Sequence, residues 1–217
     1  MNNHAFAPFQ ALANDLIAYL PGDNSDGSHD LSHIHRVWKN VCRIQAVDGG
    51  DLKVLLAATI LHDCVEVEKD SPLRSQASTL SSQKAASILD SMSWTTSEIE
   101  LAAGAIKSHS FSAGIEPETL EAKILQDADR LDAIGMVGVA RCFYVSGRLG
   151  RALYDFENPT AAGREFDDKT FAIEHFHTKL LKLNSGFRTG EGSRLAQQRH
   201  ARLESFLTEF MDEINGQ

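Results

Sequence analysis

Residues 51–66 read DLKVLLAATILHDCVE, and this stretch decides the fold class. Apolar side chains occupy almost every position from Val54 to Leu61, so a helix formed here has hardly any polar face. Such a helix is stable only when other helices surround it. Asp51, whose side chain can accept hydrogen bonds from the first turn of a helix, stands directly before the run. The stretch therefore predicts a buried central helix that begins at about Asp51.

The sequence on either side of this stretch places apolar residues at steps of three and four, which is the helical period. Strict alternation over the length of a strand is absent. We therefore predict an all-α fold: a helical bundle with additional C-terminal helices. The predicted helices lie at about 6–20, 32–48, 51–61, 82–92, 96–109, 117–134, 136–149 and 195–214, with loops at 23–28, 68–82, 158–168 and 184–192. We expect a single domain over residues 1–217, with a core at about 25–150 and a helical extension at 151–217.

The composition is that of one globular domain, with 217 residues, 42% hydrophobic and 24% charged. A chain of this length buries roughly 70% of its unfolded surface, so a metal is not needed for folding and would serve chemistry. The net charge of −9 and the lack of a basic run argue against a nucleic acid duplex as partner. Three widely spaced cysteines without a CxxC pair argue against disulfides and a thiolate zinc site. With neither a signal peptide nor an apolar run of membrane length, we expect a cytoplasmic protein without a membrane partner.

Histidine and aspartate side chains point into this predicted core from three helices. His62 and Asp63 end the apolar helix, His33 shares an apolar stripe with Val37, and Asp129 follows Leu125 by one turn. Each has a simpler explanation, because a core histidine can bond a backbone carbonyl and an aspartate can cap a helix. Packing alone hardly explains why three separate helices each place a histidine or an aspartate toward the core. A mixed set of imidazoles and carboxylates suits Mn, Fe, Co, Ni or Zn as a bound ion. The neighbouring acids Asp127 and Asp132 are expected on the flanks, solvated or supporting the ligands.

Four segments in order carry a resemblance to a known family. They are SHIHRV (32–37), LLAATILHDCVEVEKDSPLRSQAS (55–78), IKSHSFS (106–112) and KILQDADRLDAIG (123–135). Over roughly residues 25–150 the chain resembles the HD-domain metal-dependent phosphohydrolase superfamily, and in particular its small stand-alone bacterial members. The resemblance implies an all-helical fold and hydrolysis of phosphate esters or anhydrides. It also implies one divalent ion, Mn, Co, Ni or Fe with Zn and Mg as alternatives, held by His33, His62, Asp63 and Asp129.

The resemblance also suggests residues around such an ion. Besides Asp63, we expect Glu66, three residues further on, to share its helical face and to orient or deprotonate the attacking water. The alternative is an ordinary exposed glutamate near a helix end. Positively charged or imidazole side chains are candidates for binding the substrate phosphates. For each of them, the alternative is an ordinary surface or core residue. These candidates are Lys69, Arg74, Arg36, His109 and Arg130.

The substrate is indicated only by the segment DSPLRSQAS (70–78) beside His62 and Asp63. This segment is similar to family members that cleave nucleoside triphosphates, including deoxy forms, to a monophosphate and pyrophosphate, and we expect that reaction. The alternatives are a nucleoside 5′-monophosphatase, a phosphodiesterase, or a sensor module that binds metal and nucleotide without turnover. The expected partner is a small phosphorylated molecule, a nucleotide in the first instance. The apolar C-terminal helix could also serve as the face of a homodimer.

Overall fold

The computed structural model describes residues 3–21, 31–67 and 71–216. Within these ranges the only β pairing is an isolated bridge between Ala152 and Phe171, so the predicted all-α fold is confirmed. The helices are α1 (Gln10–Ile17), α2 (Leu31–Asp48), α3 (Leu52–Leu61), α4 (Ala77–Ser91), α5 (Thr96–Ser108), α6 (Leu120–Asp132), α7 (Gly135–Arg148), α8 (Glu174–Thr178) and α9 (Gly190–Ile214). Short 3-10 turns lie at Asn3–Phe6, Arg74–Gln76, Phe111–Ala113 and Leu180–Lys182.

Helix α3 is the central element that its sequence predicts. Every residue from Val54 to Leu61 is buried, and the helix packs against α1, α2, α4 and α5. The carboxylate of Asp51 accepts hydrogen bonds from the backbone N–H groups of Lys53 and Val54, which sets the start of the helix. Since truncation of a buried leucine costs about 2–5 kcal/mol, this helix is a rigid platform for the residues that follow it.

Helix α5 begins at a capping box. The Thr95 hydroxyl accepts from the backbone N–H of Glu98, and the Glu98 carboxylate accepts from the backbone N–H of Thr95. Lys53 donates to the same carboxylate at 2.7 Å, and together these bonds lower the pKa of Glu98 to about 2. The helix therefore starts where its local sequence predicts.

Helix α4 begins at Ala77, five residues before the predicted start at Ser82. The serine-rich sequence that suggested a loop is instead largely buried. The Ser81 hydroxyl accepts from the Val65 backbone N–H, and the Ser82 hydroxyl donates to the Ala103 carbonyl. The polar side chains thus bind neighbouring backbone groups rather than water. Further differences are the start of α6 at Leu120 instead of Pro117, the shorter α1 at Gln10–Ile17 instead of 6–20, and the start of α9 at Gly190 instead of about 195. The short helix α8 was not predicted.

The described chain divides into two compact units. The first contains Met1–Asp129 and Arg188–Gly192, and the second contains Arg130–Phe187 and Ser193–Gln217. In the second unit, the rings of Phe143, Phe206 and Phe210 pack against one another with tilted or edge-on geometry, and Arg164 bridges Glu174 and Asp155. The single domain over 1–217 stays a prediction. No helix in the described ranges is long and apolar enough to cross a membrane.

Candidate metal centre

Three imidazoles and two carboxylates meet in the first unit, and we call His33, His62, Asp63, His109 and Asp129 the His–Asp cluster. His33 comes from the first turn of α2, His62 follows the last residue of α3, and Asp129 belongs to α6. Nε2 of His33 lies 3.2 Å from Nε2 of His62 and 3.5 Å from Oδ1 of Asp129. The ligand atoms of these three residues all lie within 4.8 Å of one another. One ion could therefore contact all three.

A second, overlapping triad contains His62, Asp63 and His109. Oδ2 of Asp63 lies 3.5 Å from Nε2 of His62, and Oδ1 lies 3.6 Å from Nε2 of His109. The histidines are buried, whereas the side chains of Asp63 and Asp129 are 43% and 27% exposed. The carboxylates therefore form the solvent-facing side of the cluster, which is the side from which a substrate could approach.

Backbone carbonyls orient two of the three imidazole rings. Nδ1 of His62 lies 2.7 Å from the Thr59 carbonyl, and Nδ1 of His109 lies 2.6 Å from the Ile106 carbonyl. Since a carbonyl can only accept, Nδ1 carries a proton in each ring, and Nε2 is the ring nitrogen left to face the cluster. Each ring belongs to the residue that directly follows a helix, so the carbonyl one turn back is available as its partner.

The electrostatics of the cluster suit a cation. Burial lowers the pKa of His109, and the neighbouring His62 lowers it further, so this imidazole is neutral at pH 7. The Nε2 atoms of His33 and His62 face each other across 3.2 Å, a contact that requires a shared proton or a shared metal ion. Nitrogen and oxygen donors in this mixture fit the first-row divalent ions that the sequence suggests.

Helix α6 is held in position close to Asp129. The buried amide of Asn40, on α2, donates to the Ala128 carbonyl at 2.9 Å. The carboxylate of Asp127 accepts from the backbone N–H groups of Arg188 and Thr189 and from the Thr189 hydroxyl. We expected Asp127 and Asp132 on the flanks, either solvated or supporting the ligands, and the solvated alternative is wrong, because both are 0% exposed. Asp127 binds a backbone segment far along the chain, and Asp132 pairs with Arg141.

Glu66 is exposed, and its predicted geometry needs correction. Helix α3 ends at Leu61, and the backbone N–H of Cys64 bonds the Leu61 carbonyl in a turn. The three-residue spacing from Asp63 to Glu66 is therefore not helical, and the two do not share a helical face. The role of Glu66 as a proton acceptor stays a prediction.

The predicted substrate cations lie in different surroundings. Arg36 donates to Ser32 on α2, and the exposed Arg74 donates to the Val67 carbonyl. His109 is part of the cluster itself. Lys69 lies outside the described residues. Arg130 is buried in the second unit and donates to the carbonyls of Gly186, Leu183 and Ser185, so its guanidinium is already occupied.

Sequence reasoning missed two features of the site. It ranked His109 with the substrate cations, although the order Ile106, Lys107, Ser108, His109 already placed this histidine at the end of an apolar helix. It also gave Asn40 no role, although Asn40 follows His33 by seven residues and so lies on the same face of α2. A polar residue on the buried face was the available signal for Asn40.

Comparisons with known proteins agree with this architecture. The HD domain family model matches residues 30–134, a range that contains the whole His–Asp cluster. The protein YpgQ of Bacillus subtilis is 31% identical over 198 residues, which cover 89% of this chain and 88% of YpgQ. An HD-superfamily hydrolase of Bacillus thuringiensis has a similar crystal structure, with a TM-score of 0.74 at 28% identity over 96% of this chain and 99% of that one. YpgQ in complex with ADP matches with a TM-score of 0.71 at 28% identity, over 94% of this chain and 98% of that one.

Proposed function

The chain belongs to the HD-domain family of metal-dependent phosphohydrolases, and from that membership we propose that it hydrolyses nucleoside triphosphates to the monophosphate and pyrophosphate. The observation that carries this proposal is the convergence of imidazole nitrogens and carboxylate oxygens in the His–Asp cluster. His33, His62, Asp63 and Asp129 would hold a divalent ion, with Mn²⁺ as our first choice. Nε2 of His109 lies 3.6 Å from Oδ1 of Asp63 and would support the same ion.

A divalent ion bound here supplies Lewis-acid polarisation of the phosphoryl group and makes a water more acidic. The protein's own contribution is to hold the metal-ligand side chains in fixed orientations. The Thr59 and Ile106 carbonyls keep the Nδ1 protons of His62 and His109 away from the ion. Asp63, which is 43% exposed, lies on the side open to substrate. Glu66, three residues after Asp63, is exposed. It would accept a proton from the attacking water while the water oxygen forms a bond to the α-phosphorus and the bond from that phosphorus to the pyrophosphate oxygen breaks.

A nucleotide substrate is supported by the relative that binds ADP and by the basic residues of this chain. YpgQ was crystallised with ADP, and this chain is similar to YpgQ along most of its length. Arg36 lies one turn after His33 on α2, and Arg74 lies between Asp63 and the start of α4. Guanidinium groups bind phosphate oxygens in pairs, so these two arginines would bind the phosphates that the ion does not contact. Lys69 would act with them.

The test is product analysis with an isotopic label. Metal-stripped protein is incubated with dGTP and added Mn²⁺ in H₂¹⁸O, and the products are separated by ion exchange and weighed by mass spectrometry. We expect dGMP and pyrophosphate, with ¹⁸O in dGMP because water attacks the α-phosphorus. Orthophosphate as the first product would indicate a phosphatase instead. The absence of any product would leave a binding module as the explanation.

Matched variants test the residue roles. Asp63→Asn is expected to abolish turnover and Mn²⁺ binding together, whereas Asp90→Asn, an exposed change on α4, retains both. Glu66→Gln is expected to lower kcat by about 10²–10⁴-fold while Mn²⁺ still binds. Glu100→Gln, an exposed change on α5, is its control. An unchanged kcat in Glu66→Gln would remove Glu66 from the mechanism without affecting the ion site.

A further inference from the structure

The second unit contains a cavity of about 310 Å³. None of the residues that line it belongs to the His–Asp cluster. Four lining residues carry basic side chains, namely Arg141, Arg151, His175 and Lys179, and most of the others are small or aliphatic. This volume lies at the lower end of the range for small-molecule sites, which is about 300–1,000 Å³. The cavity can therefore hold a small ligand, and its basic lining indicates an anion.

Local folding signals bring the basic side chains together. Helix α7, which carries Arg141, ends at Arg148. Gly150 follows with a φ of +66°, and the backbone N–H of Arg151 donates to the Ser146 carbonyl. This turn reverses the chain directly after α7, at Arg151. The neighbouring Ala152 then pairs with the segment around Phe171. That segment leads into α8 and so to the remaining two basic residues.

The charges of the cavity are only partly balanced. Arg141 lies 3.3 Å from Oδ2 of Asp132, and His175 lies 2.7 Å from Oδ2 of Asp168. Hydrogen bonds from His175 and Thr178 lower the pKa of Asp168, so this carboxylate is ionised at pH 7. Such pairs hold Arg141 and His175 in position. Asp168 also attracts Arg151 electrostatically, but the two form no ion pair, and Lys179 has no acid of the cavity beside it.

Arg151 and Lys179 are the basic groups without a partner of this kind. Within the part of the chain that the structure describes, neither side chain makes an ion pair or a hydrogen bond. Arg151 is half-buried, and Lys179 is exposed at the rim. A surplus of positive charge in one cavity contrasts with the net charge of −9 of the whole chain. An anionic ligand would relieve this surplus.

A buried hydroxyl in the same cavity is a second, independent indication of a ligand. Ser146 lines the cavity and is 2% exposed, and its Oγ makes no hydrogen bond to an oxygen or nitrogen of the described residues. The hydroxyl lies beside the thiol of Cys142, which itself donates to the Ala172 carbonyl. The Cys142 sulfur is only a weak hydrogen-bond acceptor for this hydroxyl. A ligand oxygen in the cavity would be a stronger partner.

We propose that this cavity is a binding site for a small phosphorylated anion, with Arg151, Lys179 and Ser146 as the groups that recognise its phosphate oxygens. The guanidinium of Arg151 matches the geometry of phosphate, and Lys179 adds a mobile point charge at the rim. Arg141 and His175 line the same wall and favour a ligand with more than one negative charge. The site goes beyond the proposed hydrolysis, because none of its residues is a candidate metal ligand and binding there requires no turnover.

The experiment is isothermal titration calorimetry on the full-length chain carrying Asp63→Asn, so that phosphate binding at the His–Asp cluster does not contribute. Inorganic phosphate, pyrophosphate and dGMP are titrated separately at low ionic strength. We expect saturable binding of at least one of them, with one site per chain, and the ligand with the highest affinity identifies the source of the phosphate. A lack of saturable binding by all three would overturn the proposal, whatever the activity of the wild type.

Charge-matched double variants locate the binding. Arg151→Gln with Lys179→Gln is expected to weaken binding at least tenfold. The control, Arg148→Gln with Lys182→Gln, removes two exposed charges of the same unit that do not line the cavity, and it retains the affinity. Equal losses in both doubles would mean non-specific attraction and would overturn the site. Hydrogen exchange gives a second measurement, because the bound ligand should protect residues 141–151 and 173–180 and leave α3 unchanged.

Discussion

At the scale of single residues, His109 shows how the fold controls a proton. The ring is 5% exposed, Nδ1 bonds the Ile106 carbonyl, and burial lowers its pKa from the ordinary histidine value of about 6.5. Below pH 6.5, His109 therefore becomes protonated in the unfolded chain while it stays neutral in the folded chain until the pH falls further. Its contribution to stability is complete above that pH and is lost as the pH falls.

We accordingly expect the metal-free protein to lose free energy of unfolding between pH 7 and pH 5. Urea unfolding at several pH values in the presence of a chelator measures this loss. His109→Gln, which cannot take up the proton, should be less sensitive to acid over the same interval. If wild type and variant show the same slope, burial of His109 does not contribute to acid sensitivity.

The same scale shows what the sequence could predict of the site. His33, His62, Asp63 and Asp129 lie together as the resemblance implies. Helix periodicity places His33 and Asp129 toward the cluster, whereas His62 and Asp63 lie in the turn that follows α3. Their role as ligands stays a prediction. The burial of Asp127 could not be predicted, because its partners, Arg188 and Thr189, are 61 and 62 residues away, beyond the reach of any local pattern.

At the scale of elements, Asn40 connects the helix of one candidate ligand to the helix of another. It lies on α2 with His33, and its amide donates to the Ala128 carbonyl, directly before Asp129 on α6. Loss of this bond removes a buried hydrogen bond between the two helices, which contributes about 0.5–1.5 kcal/mol. We expect Asn40→Ala to weaken Mn²⁺ binding about 10–100-fold, as changes to groups that support metal ligands commonly do.

The measurement for Asn40 is Mn²⁺ affinity by calorimetry, alongside the free energy of unfolding. Gln45→Ala is a matched control, because Gln45 lies on the same helix and its amide also donates to a backbone carbonyl, that of Gly50. The control should retain its metal affinity. A normal Mn²⁺ affinity in Asn40→Ala, with only stability lowered, would limit Asn40 to a packing role.

The start of α9 depends on a different contact with α6. The Asp127 carboxylate accepts three hydrogen bonds from Arg188 and Thr189, and a side chain at Gly192 would come within 2.5 Å of the same carboxylate. We expect Asp127→Asn to lower the free energy of unfolding by about 1–3 kcal/mol, because it removes the charge from buried bonds. Urea unfolding measures this change. Glu118→Gln, an acid outside this contact, is expected to have little effect.

Elements with strong local signals were predicted closely, and elements that depend on distant contacts were not. Helix α5 starts at Thr96 as expected because Thr95 and Glu98 form a complete capping box within four residues. The start of α4 was predicted five residues too late, because buried Ser81 and Ser82 resemble a loop until their partners Val65 and Ala103 are known. The short α8 has too few residues for a periodic pattern.

At the scale of the whole molecule, the size of the chain implies that folding does not depend on a bound metal. A chain of 217 residues with a fully buried central helix has core enough to fold without a metal staple. A metal in the His–Asp cluster would then stabilise the fold by mass action alone. The metal-free protein should remain folded and enzymatically inactive.

Thermal unfolding with and without Mn²⁺ tests this separation. A ligand at 100 times its Kd adds about 2.7 kcal/mol to the free energy of unfolding, so Mn²⁺ should raise the Tm of the wild type and of Asp90→Asn but not that of Asp63→Asn. Unfolding on chelation alone would mean that the metal is structural. An unchanged Tm in the wild type at saturating Mn²⁺ would mean that the cluster holds no such ion, because binding only to the folded state must stabilise it.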